Sequence, residues 1–168
     1  MKKLILMLIM FAPLAAFAQT PKFGHLNTQE IMASMPELIK VRGELEATAK
    51  QYENDLKAMQ DELQRKAAEY EKNKSTMNET KQKETETELM GLQQKIQQAY
   101  QDNSEAFQKA QQEKMQPITT KLLDAIKAVG KAGGYVYIMD LSAGIPYVSD
   151  TLSKDVTAEV KAELNKTK

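Results

Sequence analysis

The chain has 168 residues, with 23 Lys and Arg against 23 Asp and Glu, one His and no Cys. That balance leaves no electrostatic footprint for nucleic acid. The lack of cysteine excludes a disulfide framework and thiolate chemistry, so packing or association must hold the fold.

Residues 1–18 read as a secretory signal peptide. Lys2 and Lys3 form the positive start, Leu4 to Phe17 is an apolar run, and Ala16-Phe17-Ala18 is a small-x-small cleavage pattern. The apolar run is roughly 14 residues, too short for a membrane span of ~20. The expected product is an exported, periplasmic chain with 21 basic and 23 acidic side chains, since only Lys2 and Lys3 leave the basic set of 23.

Residues 19–35 are expected to contribute the N-terminal part of a small β body. "KFGHLN" (Lys22 to Asn27) reads as a short strand, and Asn27 with Glu30 resembles a capping box for a helix over Thr28 to Ser34. Pro36 bends the chain at Met35, and Ser34 is the expected cap of the next helix.

Residues 36–132 read as a long helical hairpin. Leu38, Val41, Leu45, Ala49, Tyr52, Leu56, Met59, Leu63, Ala67 and Tyr70 recur in steps of three or four, as a coiled-coil seam requires. The seam fades over Glu71 to Thr87 and returns from Leu89, with Ala106, Lys114, Pro117 and Lys121 among its members. A turn within 72–88 is expected, although no Gly or Pro marks it and one continuous helix remains the alternative. Pro117 should kink or interrupt the return arm. Leu122 to Val129 has a fuller apolar face and ends at a glycine stop.

Residues 133–168 complete the β body. "YVYIMD" (Tyr135 to Asp140) is a strand on composition, "LSAG" a turn, and "IPYVS" (Ile145 to Ser149) a second short strand. A last helix from Asp155 or Thr157 carries Val156, Val160 and Leu164 on one face. The hairpin returns "YVYIMD" to "KFGHLN" across more than a hundred residues. So small a head buries little, which argues for self-association.

The layout resembles the Skp/OmpH family of exported chaperones. The resemblance rests on "KFGHLNTQEIMASMPE", "AIKAVGKAGGYVYIMD", "AGIPYVSD" and "DVTAEVKAELNK", in that order around the long hairpin. It implies an α+β, mostly α fold: coiled-coil-like arms on a small β body, assembled as a trimeric "jellyfish". It also implies an ATP-independent periplasmic holdase for unfolded outer-membrane β-barrel proteins, with no cofactor. The expected body residues are Phe23, His25, Leu26, Tyr135, Val136, Tyr137, Ile138, Met139 and Val148. The expected client contacts are Tyr52, Met59, Tyr70, Met77, Met90, Tyr100, Phe107 and Met115, flexible or aromatic groups suited to promiscuous contact. Some family members are strongly basic; the near-neutral balance here gives no support to contact with lipopolysaccharide or a membrane surface.

No catalytic constellation is present. His25 reads as a strand residue without convergent partners, Asp140 as a turn cap rather than a metal ligand, and no phosphate-binding glycine loop occurs. A structural coiled-coil adaptor of the cell envelope is the alternative reading.

Overall fold

The structure is a computed structural model that describes residues 20–166. The expected signal peptide lies outside the described residues. In chain order the elements are β1 (Lys22–Leu26), α1 (Thr28–Ala33), α2 (Pro36–Asn73), a 3₁₀ turn (Lys74–Thr76), α3 (Glu79–Gly133), β2 (Tyr135–Asp140), a second 3₁₀ turn (Leu141–Ala143), β3 (Ser153–Asp155) and α4 (Thr157–Lys166). By contacts the chain divides into two compact units: the described parts of Met1–Thr28 and Ala125–Lys168, and Gln29–Asp124.

The first unit is built on a three-stranded sheet in the order β2-β1-β3. Both pairings are parallel, with Phe23 opposite Tyr137 and Ser153, and His25 opposite Met139 and Asp155. Parallel strands require a crossover, and between β1 and β2 the whole helical excursion supplies it. Leu26, Ala125, Val156, Val160 and Leu164 form the buried apolar set of this unit.

Two glycines lie at close approaches, the tighter at Gly133. A Cβ on Gly133 would lie 2.2 Å from Tyr135 Cε2, and one on Gly24 would lie 3.1 Å from Ile138 Cγ1. Gly134, at φ +67°, takes the left-handed conformation that ends α3, and its amide donates to the Lys131 carbonyl at 3.3 Å.

Residues 145–149, expected as a strand, have no ladder partner and form none. Pro146 lacks the donor a ladder needs, and both sides of β1 are already taken by β2 and β3. Ser149 instead closes a turn: its carbonyl accepts from the Ser153 amide at 3.0 Å, and its hydroxyl from the Leu152 amide at 3.3 Å. The third strand is the polar Ser153–Asp155, continued by the Val156 amide donating to the His25 carbonyl at 2.9 Å.

The second unit is a helical hairpin. Ile31, Met35, Leu38, Leu45, Tyr70, Ile118 and Leu122 are its most buried apolar side chains. Ser34 does not cap α2. Met35 holds the cap position in an extended conformation with no side-chain bond, and the Ser34 hydroxyl donates to the Ile31 carbonyl at 2.7 Å. The Leu38 and Ile39 amides donate instead to the Met35 carbonyl, at 3.1 and 3.3 Å.

The turn falls at Lys74–Asn78, so the continuous helix is excluded. It closes without Gly or Pro because side chains do the work. Asn78 Oδ1 accepts from the Lys81 amide at 2.8 Å, capping α3. Gln82 Nε2 donates to the Lys74 and Met77 carbonyls at 3.0 and 3.1 Å.

Pro117 does not interrupt α3, which runs unbroken from Glu79 to Gly133. Lys114 and Lys121, one turn before and one after it, donate to Glu44 and Glu37 of α2, both at 2.6 Å. These ties hold the helices together where a backbone bond is missing. On this arm Ala106 and Pro117 are exposed, and Phe107 and Ile118 sit in the seam instead.

Candidate functional site

Two surfaces carry the residues singled out from the sequence: the open sheet of the first unit and the arms of the second. In the sheet, Leu26 is buried within the chain itself. Phe23 stacks at a tilt on Tyr137, ring centroids 4.8 Å apart. Tyr135 and Ile138 are half-buried over Gly133 and Gly24. Val136 and Tyr137 stay 62% and 50% exposed, and Met139 is also exposed. Val148 is half-buried, in an irregular segment rather than a strand. Tyr147 and Leu152 are exposed apolar groups of this unit that the sequence reading left out. Their neighbourhood of Pro, Ser and Asp hid them.

His25 shares a 2.9 Å hydrogen bond between Nδ1 and the Ser153 hydroxyl, which ties β1 to β3. Asp140 caps the turn after β2, as its position in the sequence indicates, and does more besides. Its carboxylate accepts from the amide and hydroxyl of Thr28, at 3.1 and 2.6 Å, and from the amide and hydroxyl of Ser142, at 3.0 and 2.7 Å. Burial pushes Asp140 up, but the hydrogen bonds from Thr28 and Ser142 outweigh it and hold the carboxyl below its ordinary range. The Thr157 hydroxyl and amide likewise hold Asp155 low. Among the described residues no cluster of His, Cys, Asp and Glu could hold a metal ion.

Along the arms, Met59, Met77 and Met115 are half-buried. Tyr70 is buried, with its hydroxyl donating to Glu86 and the Lys74 ammonium 5.2 Å over its ring. That bond, with desolvation, pushes the phenol up to about 12. Nearby, Lys66 forms an ion pair with Glu88 across the helices. Met90 and Tyr100 are exposed. Tyr52, Tyr100 and Phe107 come together, with Ala49 and Leu56, around one open cleft of about 420 Å³ between α2 and α3.

The arms offer scattered apolar contacts on a charged surface, and the sheet offers two open edges beside exposed apolar side chains. Among the described residues no helix is long and apolar enough to cross a membrane.

Comparison with known proteins points one way. Residues 22–164 match the family described as "Outer membrane protein (OmpH-like)". The chain is 30% identical over 150 residues to the chaperone protein Skp of Yersinia enterocolitica, covering 87% of each chain. It is 26% identical over 152 residues to the chaperone protein Skp of Pectobacterium atrosepticum, covering 90% of each. In fold it is similar to the crystal structure of an OmpH-like outer membrane chaperone from Caulobacter crescentus CB15. The TM-score is 0.76 at 17% identity, over 88% of this chain and 86% of that one.

Proposed function

The chain belongs to the OmpH-like outer membrane protein family, a family of chaperones rather than enzymes, and from this we propose that it is an ATP-independent holdase for unfolded outer-membrane β-barrel proteins. It acts in the periplasm, after removal of residues 1–18, and as a homotrimer. The observation that carries the reading is the character of the arms: adaptable apolar groups such as Met90 and Tyr100 stand exposed on long polar helices. A holdase needs many weak contacts, each easily broken, so that release follows mass action and requires no nucleotide. Dispersal also avoids the contiguous apolar patch that would make the chaperone aggregate.

Trimeric assembly is supported by the sheet. β2 and β3 are both edge strands in the order β2-β1-β3, and Val136, Tyr137 and Met139 are exposed on β2. Edges of this kind are normally covered, and a second and third copy would cover them.

The deciding experiment uses the chain lacking residues 1–18. Diluted with a urea-denatured outer-membrane β-barrel protein, one trimer per client and no nucleotide, it should keep the client from scattering light. Undiminished aggregation at that ratio would refute the holdase reading.

A further inference from the structure

The aromatic cleft between α2 and α3 lies in the stretch of the arms between their cross-helix ion pairs. Nearer the first residues of α2, the helices are joined by Glu37–Lys121 and Glu44–Lys114, and toward the turn by Lys66–Glu88. Between those ties lie residues 49–57 and 100–107, which hold four carboxylates, Glu53, Asp55, Asp102 and Glu105, against two ammonium groups, Lys50 and Lys57. None of the four carboxylates has an ion-pair partner among the described residues. Asp55 and Asp102 accept only from the neutral amides of Gln51 and Gln98, both at 2.8 Å. Glu53 itself lines the cleft, beside Tyr52, Leu56, Tyr100 and Phe107.

We propose that this cleft is a discrete subsite for an arginine side chain in an extended, unfolded polypeptide. The proposal rests on the holdase reading and deepens it, since it names what one point on the arm recognises. A guanidinium matches the lining. Its planar face stacks on the Tyr100 and Tyr52 rings, and its fork reaches the unpaired Glu53 carboxylate. The stem and apolar neighbours of the arginine meet Leu56 and Phe107. A purely aliphatic side chain would leave the Glu53 carboxylate without a cation, and an acidic segment would be repelled by the carboxylate excess. The volume, about 420 Å³, lies within the ~300–1,000 Å³ of ordinary ligand clefts. Tyr100 is 68% exposed, so it is already available to a partner and its loss spares the arm.

The test uses the chain lacking residues 1–18 and three fluorescent twelve-residue peptides, identical but for Arg, citrulline or Glu at one central position, with binding read by anisotropy. The Arg peptide should bind at least about threefold more tightly than the citrulline peptide, and the Glu peptide more weakly than either. Tyr100→Ala should weaken the Arg peptide about three- to tenfold and the citrulline peptide less than about twofold. Glu53→Gln should flatten the salt dependence of Arg-peptide binding. Equal affinity for Arg and citrulline, or an unchanged Arg affinity in Tyr100→Ala, overturns the subsite. The same preparations assayed for aggregation suppression separate the two readings. Suppression by the parent chain together with no Tyr100 effect on peptide keeps the holdase and removes the subsite. Failed suppression with a Tyr100-dependent Arg preference removes the holdase and keeps the cleft as a guanidinium site.

Discussion

Replacing Asp140 with Ala should loosen the sheet unit and leave the turn of the hairpin untouched. The wild-type carboxylate accepts four hydrogen bonds, two from Thr28 and two from Ser142. A hydrogen bond to a charged acceptor contributes roughly 1.5–3 kcal/mol and loss of a cap about 1 kcal/mol. Asp140 is only half-buried, so water replaces part of what is removed, and a net loss of about 2 kcal/mol is expected. That corresponds to about a 30-fold increase in opening of the sheet. Hydrogen exchange read by mass spectrometry should therefore show protection of about that much lost in peptides covering 20–28 and 133–156, with peptides over 70–88 unchanged. The pH dependence follows from the lowered pKa. Because the folded carboxyl is held below its unfolded value of ~3.9, the stabilisation is fully present above that pH and fades as pH falls through the folded value. Wild-type protection should decline in that acid window, and Asp140→Ala should lack this component of the decline. Equal protection in the variant and wild type at neutral pH, or loss spread evenly over both units, would refute the reasoning.

Replacing Val136 and Tyr137 together with Asp places charge on two exposed side chains of an edge strand; light scattering should report a monomer while far-UV dichroism keeps its helical signal, and an unchanged mass would remove the sheet from the assembly. Gly133→Ala forces a methyl group to within 2.2 Å of the Tyr135 ring and should cost about 1–3 kcal/mol in urea unfolding; adding Tyr135→Ala should recover part of that, and strict additivity of the two would show that the contact is not the cause. In an ultraviolet titration Tyr70 should ionise at about 12, and Glu86→Gln should move it down toward the ordinary phenol value of 10.0; an unmoved curve would place the effect elsewhere than the Tyr70–Glu86 bond.

What could be read from the residues was whatever periodicity or strong β composition encodes. "YVYIMD" forms β2, "KFGHL" forms β1, and the α2 seam from Leu38 to Tyr70 faces inward, Ala49 excepted. The failures share one cause: their determinants are partners, not propensities. Ser153-Lys154-Asp155 has no strand signature and is a strand because β1 offers it an edge. "IPYVS" has the composition, but Pro146 lacks a ladder donor and both sides of β1 are taken. The return arm is so poor in large apolar groups that steps of three and four pass as well through Pro117 as through Ile118, and only packing against α2 decides. The turn of the hairpin was legible as a region and not as residues, since Asn78 and Gln82 replace the glycine that would have marked it. The cleft was legible only in pieces: Tyr52, Tyr100 and Phe107 stood out singly, and antiparallel register brings them together.

The parallel pairing of β1 with β2 sets an order of events. Lys22 and Tyr135 are partners across a loop of more than a hundred residues, a closure that is entropically costly for a free chain and slow to find. A hairpin closed at Lys74–Asn78 shortens the search step by step, as each turn of α2 that zips onto α3 draws the two strands nearer. β1, first in the chain, waits unpaired for residues that follow it much later. The exposed apolar face of β2 is thus set in place only after the arm has closed, and a half-made arm leaves the sheet unmade.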